Sequence, residues 1–235
     1  MIDIIISVKN LQKNYGDFAA VKGISFDVRR GEIFGLLGPN GAGKSTTLEI
    51  IETLREKTSG EVFVDGFNLD DSPNEIKKII GVQLQTSGYY PSLTLTELIY
   101  LFAGLYNEVI DPLTLLDRVN LRDKAKAKFK ELSGGQKQRI LIARAVYKDP
   151  NYLFFDEATN SLDANNEKAI VENLQQFFKG RTVVVVAHRL STVKNADKIV
   201  VLHEGKIAEV GTHAVLSMMK GRYYELVKNQ LELGN

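Results

Sequence analysis

Cysteine is absent from the 235 residues, which excludes disulfides and thiolate metal sites. Long apolar runs are absent too: the longest are "VVVV" (Val183 to Val186), "IIISV" near the start and "YLFF" before Asp156. A membrane-spanning helix takes about 20 largely apolar residues, so no segment reads as one. The start, "MIDIIISVKN", lacks the basic beginning, long apolar centre and small-residue cleavage site of a secretory signal. Neither sign of charge dominates: 30 Lys plus Arg stand against 29 Asp plus Glu, and a net charge of +1 gives no bulk argument for nucleic acid. Internal repeats, low-complexity tracts and linkers are missing as well. What is present, 44% hydrophobic and 25% charged residues, is ordinary for a soluble globular protein, and the expectation is a cytoplasmic chain.

The patterning is that of an α/β protein. "IIISVKNL" is β-branched and apolar, and "AAVKGISFDV" alternates before "RRGE" turns the chain. "EIFGLL" is a short apolar strand that ends in a glycine-rich loop. From Lys44, "KSTTLEIIETLR" has helical spacing, with Leu48, Ile51 and Leu54 on one side. "GEVFVDG" reads as a hairpin strand, "PNEIKKII" as a short helix opened by proline, and "IGVQLQ" as a buried strand. Between Thr94 and about Lys130, "TLTELIYLFAGLY" and "DPLTLLDRVN" are helical, each opened by a capping residue type. After "QKQRILIARAVY", strands ("NYLFFDE", "TVVVVAH", "KIVVLHEGKIAEVG") alternate with a helical "NNEKAIVENLQQFF". Apolar strands alternating with helices imply a mostly parallel sheet covered on both faces.

"GPNGAGKST" fits the P-loop pattern between a strand and a helix. Its residues Gly38, Pro39, Asn40, Gly41, Ala42, Gly43, Lys44, Ser45 and Thr46 would present backbone N–H groups to phosphate oxygens at a helix N-terminus. Lys44 would reach the β- and γ-phosphates and the Ser45 hydroxyl would ligate Mg²⁺. Asp156, ending "YLFFD", would hold the Mg²⁺ shell, and Glu157 would orient or deprotonate an attacking water. His188 and Gln85 each close a strand, the end where ligands bind in such sheets; Gln85 could touch Mg²⁺ or the water. Tyr15, in "KNYGDF", could stack on adenine. A kinase would need a separate acceptor site, for which no candidate stands out.

A tyrosine near the start, "GPNGAGKS", a strand-end glutamine, "LSGGQ", "LFFDE", "SLD" and a strand-end histidine follow one another in that order. With these, the chain resembles the nucleotide-binding domain of ATP-binding cassette (ABC) transporters over essentially its whole length. The resemblance implies one ABC ATPase domain over 1–235: a P-loop NTPase (RecA-like) core, an N-terminal antiparallel β lobe and an inserted helical lobe at about 90–150 bearing the signature. It implies catalytic roles for Glu157, His188, Lys44 and Gln85, with ATP and Mg²⁺ as cofactors. It also implies a second copy as partner. Two cassettes would pair head-to-tail, each placing Ser133, Gly135 and Gln136 on the γ-phosphate of the other's ATP, with Asp163 at the seam; two-fold contacts are self-complementary, so both sites form together.

Up to about Arg139 the sequence resembles stand-alone bacterial drug-efflux ATPase subunits. Beyond it, "FFDEATNSLD", "VVVVAHRLSTVKNADKIVVL" and "GTHAVLSMMKGRYYELVKNQLE" resemble fused peptide or bacteriocin exporters, as a chimera joined near the signature helix would. A separate transmembrane subunit is therefore expected as partner, and nucleic acid is not. The competing expectations are a non-transport ABC module, or an engineered chimeric cassette that binds ATP without a working transport partner.

Overall fold

In a computed structural model of the chain, residues 3–83, 90–106, 111–156, 178, 180–187 and 193–233 are described. Two sheets make the frame. Strands β1 (Ile4–Tyr15), β2 (Phe18–Arg29), β4 (Ser59–Val64) and β5 (Phe67–Asn68) form an antiparallel sheet in the order β2-β1-β4-β5. The second sheet has the order β10-β9-β3-β8-β7-β6. It is built from β3 (Ile33–Leu37), β6 (Ile80–Gln83), β7 (Tyr152–Asp156), β8 (Thr182–Ala187), β9 (Lys198–His203) and β10 (Lys206–Gly211). Every pairing in it is parallel except the β9–β10 hairpin at one edge.

The parallel strands are apolar on both faces, and alternate residues enter different cores. Val184, Val186, Tyr152 and Phe154 meet the antiparallel sheet and helix α1 (Lys44–Ile51). Val183, Val185, Leu153 and Phe155 meet the helices that lie between β6 and β7 in sequence. Those helices are α3 (Leu95–Tyr106), α4 (Pro112–Arg118) and α5 (Gly134–Ala145). A helix α2 (Pro73–Ile79) precedes β6, while α6 (His213–Met219) and α7 (Arg222–Leu233) follow β10.

Local chemistry explains the ends. The Asp111 carboxylate accepts from the N–H groups of Leu113 and Thr114 (3.3 and 3.0 Å) and so caps α4, with Pro112 at its first position. Thr94 and Glu97 cap α3 reciprocally, Glu97 accepting from the Thr94 N–H at 2.8 Å and Thr94 Oγ1 from the Glu97 N–H at 3.3 Å. One expectation needs correcting. The apolar spacing carries a helix from Lys44 past Leu54, but α1 stops at Ile51 and Thr53 takes a left-handed φ of 62°. Leu54 thus leaves the stripe of Leu48 and Ile51 and is exposed. Among the described residues, no helix is long and apolar enough to cross a membrane.

Candidate functional site

The loop between β3 and α1 is fixed by two close backbone approaches. Gly43 has φ 96°, and a Cβ there would lie 2.7 Å from the Ala20 carbonyl oxygen of β2; at Gly38 it would lie 2.3 Å from that of Leu202 in β9. Only glycine fits either place. The Lys44 side chain is buried and its Nζ donates to the carbonyls of Gly38 and Pro39 at 2.9 and 3.0 Å. A buried ammonium is thereby held over the loop. Gly43 serves as N-cap of α1 without a side-chain cap, so the first-turn N–H groups keep no side-chain acceptor. Such a terminus carries partial positive charge and suits an anion.

Asp156 is brought to this loop by the sheet. It ends β7, beside Val186 of β8, and is almost fully buried. Ser45, at the start of α1, donates from Oγ to Asp156 Oδ1 at 3.4 Å. A serine hydroxyl and a carboxylate side by side are hard oxygen donors of the kind Mg²⁺ accepts, with phosphates and water completing its shell. The residues present therefore fit a magnesium–triphosphate: uncapped N–H groups and a lysine for the phosphates, two oxygens for the metal.

The signature segment stands elsewhere. Ser133 caps α5: its Oγ accepts from the Gln136 N–H at 3.3 Å, while Gln136 Oε1 accepts from the Ser133 N–H at 3.0 Å. Ser133 and Gln136 thus hold each other in a reciprocal cap, a feature that S-x-x-Q spells in the sequence and that a reading centred on phosphate overlooks. Gly135 is buried in the first turn. Helix α5 packs on α3, α4 and β6.

Tyr15, at the tip of the β1–β2 hairpin, is partly exposed. The Arg55 guanidinium carbon lies 5.4 Å and the Lys13 Nζ 5.2 Å from its ring centroid. Arg55 is anchored in turn by Glu49, at 2.5 Å. These flanking cations were not foreseen from the sequence, because they come from β1 and from the turn after α1. Gln85, Glu157, Asp163 and His188 lie outside the described residues; Glu157 directly follows the end of β7 and His188 the end of β8.

Comparison with known proteins agrees with this architecture. A family model described as ABC transporter matches residues 21–160, more than half of the chain. "Multidrug resistance protein 1" of Entamoeba histolytica is 38% identical over 96% of this chain, which covers 18% of that protein. The "ATP-dependent lipid A-core flippase" of Syntrophus aciditrophicus is 35% identical over 97% of the chain, which covers 39% of it. The chain thus spans well under half the length of these curated relatives. Among solved structures, a bacterial Atm1-family ABC exporter with ATP bound matches with a TM-score of 0.85 and 28% identity, over 98% of this chain and 42% of that one. A dimeric, post-hydrolysis ATP-binding cassette bound to ADP and Pi matches with a TM-score of 0.78 and 30% identity, over 89% of this chain and 99% of that one. The chain belongs to the ABC transporter family and is its P-loop ATPase cassette.

Proposed function

We propose that the cassette binds Mg-ATP in the β3–α1 loop, hydrolyses it between two head-to-tail copies, and uses the cycle to drive a membrane domain. The convergence of Lys44, the uncapped α1 terminus, Ser45 and Asp156 carries this reading. The Lys44 ammonium, now on two loop carbonyls, transfers to the β- and γ-phosphates when ATP enters, and the first-turn N–H groups of α1 orient the chain of phosphates. Ser45 and Asp156 are the side chains that would hold Mg²⁺, which when bound neutralises charge developing on the phosphates. Glu157, next along the chain from Asp156, accepts the proton of the attacking water; Gln85 and His188 bear on the same phosphate, and Tyr15 takes the adenine.

The signature of one copy completes the site of the other, with Ser133, Gly135 and Gln136 against the γ-phosphate. Support for pairing comes from the dimeric post-hydrolysis cassette, to which this chain is similar over nearly all of that cassette's length. The membrane unit is a separate subunit on the resemblance of the first part of the sequence. In the longer relatives the matched cassette covers only a minority of the protein. Either arrangement places the cassette on the cytoplasmic face.

Lys44→Ala tests the site. Two charge-assisted hydrogen bonds at roughly 1.5–3 kcal/mol each correspond to a loss of about 10² or more in ATP affinity or turnover, read by fluorescent-nucleotide titration and phosphate release. Turnover within twofold of the unaltered protein would remove the P-loop from the reaction.

A further inference from the structure

The basic run "RDKAKAKFK" ahead of the signature has no part in the ATP reaction. From Arg122 to Arg139 seven Lys and Arg stand against two Asp and Glu, a net charge of +5 in a chain whose total is +1, so the excess is local. The fold turns it outward. Ala125 O accepts from the Thr96 N–H and Ala127 O from the Leu95 N–H, both at 3.1 Å, while the N–H groups of Phe129 and Lys130 donate to the carbonyls of Leu93 and Pro91 at 2.9 and 3.1 Å. Joined in this way to the start of α3, the segment buries Phe129 and packs Ala125 and Ala127 on the same core. Lys126, Lys128 and Lys130, the residues between and after, are exposed.

Neighbouring acids do not cancel this charge. Arg122 pairs with Asp117, and Lys124 lies 3.7 Å from Asp123. Glu97 feels the charge of Lys128, but its carboxylate is held by the Thr94 N–H and hydroxyl, each at 2.8 Å. Glu131 accepts from the Lys128 N–H at 3.0 Å. Lys126, Lys128 and Lys130 form no ion pair among the described residues. Lysines two residues apart have Cα atoms within about 7 Å of each other, inside the screening length of about 8 Å in physiological salt, so they act as one field. Lys137 of α5 adds a fourth charge, 5.8 Å from the Phe129 ring centroid. We infer that this lysine row is a docking surface for an anionic bilayer and holds the α3–α5 helices against lipid headgroups.

The chemistry selects the occupant. Lysine is a compact point charge on a flexible stem, which suits a mobile layer of headgroup phosphates; arginine's planar fork suits phosphates in fixed places, and the exposed row contains none. Clustered lysines are the usual means by which a protein surface meets anionic lipid. Tyr90 is 55% exposed and precedes the Pro91 carbonyl that receives the Lys130 N–H. Its ring, apolar with a polar tip, is of the kind that sits at headgroup level. The proposed drive of a membrane domain puts a bilayer within reach, and the inference rests on that reading to this extent.

The test sediments the full chain, without nucleotide, with vesicles of phosphatidylcholine alone or with one-third phosphatidylglycerol. Binding is expected to the anionic vesicles only, and to be lost in half-molar salt. Each lysine near such a surface contributes about fivefold to partitioning. Lys126→Gln, Lys128→Gln and Lys130→Gln together are therefore expected to weaken binding about 10²-fold, with the thermal midpoint and the vesicle-free ATP turnover unchanged. Lys9→Gln, Lys22→Gln and Lys206→Gln, also at exposed positions, remove the same charge elsewhere and are expected to keep binding within about fivefold. No binding to the anionic vesicles, equal binding to both kinds, a first triple variant that binds like the unaltered chain, or a second that loses as much would overturn the inference. So would release from the anionic vesicles by oligouridylate or oligoglutamate carrying no more charge than the lipid, which would make the partner a nucleic acid or an acidic protein. ATP turnover is measured on the same samples, so failure of the ATP reading and failure of the bilayer reading are seen separately.

Discussion

Glu52, one residue past the end of α1, sits in the native fold as a buried acid without a partner, and this has a consequence for stability. Its folded value of about 9 stands against 4.5 for the ordinary group. Between those two pH values the native state holds a proton that the unfolded chain has released, so this group makes stability fall as pH rises. Below about 4.5 both states are protonated and the cost vanishes. Burial is the main cause, and the charges of Asp156 and Glu49 push the same way. At pH 7 the cost is on the order of 3 kcal/mol, from 1.36 kcal/mol for each pH interval. Glu52→Gln is expected to stabilise the fold by about that much at pH 7 and by little at pH 4.5. Urea unfolding of both proteins at several pH values measures it; a difference that does not grow with pH places the cost elsewhere. Gly43 offers a second test at this scale. A side chain there meets left-handed backbone strain of about 1–2 kcal/mol and the Ala20 carbonyl at 2.7 Å. Gly43→Ala is therefore expected to lower stability by at least about 2 kcal/mol and to weaken nucleotide binding, seen in thermal unfolding with and without ATP.

At the scale of elements, α5 carries two duties at one end: its reciprocal cap and the proposed reach to a second copy's ATP. Substitution at Ser133 separates them. Ser133→Ala removes the cap and is expected to cost about 1 kcal/mol. Ser133→Asp is as good a cap, so stability stays within about 0.5 kcal/mol, yet its carboxylate repels a γ-phosphate and abolishes nucleotide-driven pairing. Unfolding curves and nucleotide-dependent light scattering distinguish the outcomes; pairing that survives Ser133→Asp would take the signature out of the shared site. The same helix shows what the sequence discloses and what it does not. The β3–loop–α1 unit and the strand ending in Asp156 are legible because each is set by neighbours in the chain: glycines, an apolar run, a helix start. The meeting of Ser45 with Asp156, 111 residues apart, follows only once parallel strands are placed side by side. The burial of Glu52 without a partner is illegible for a further reason. Helical spacing continues through Leu54, and only the left-handed turn at Thr53 ends the helix there, with the acid buried just before it. The choice of β4 rather than β3 as the neighbour of β1 is likewise a matter of long-range pairing that no periodicity encodes.

For the whole molecule, the deciding question is whether two copies close on nucleotide. A single cassette presents the phosphate cradle from β3 and α1 and the capped start of α5 from a separate set of helices, so the cradle and the signature belong to different layers of one chain. In the proposed two-fold pair they would turn toward each other, and each γ-phosphate would contribute hydrogen bonds that vanish when it is cleaved and leaves. Blocking cleavage should therefore trap the pair. Glu157→Gln removes the proposed base while preserving shape, and is expected to retain ATP affinity, to slow turnover by at least about 10²-fold, and to shift from the 26.2 kDa chain to twice that mass in Mg-ATP. Chelation of the metal, or ADP in place of ATP, should return the mass to that of one chain. Size-exclusion chromatography with light scattering reads all three conditions. A variant that binds Mg-ATP to saturation yet stays at the mass of one chain would leave the phosphate cradle in place and remove the shared γ-phosphate as the link between copies.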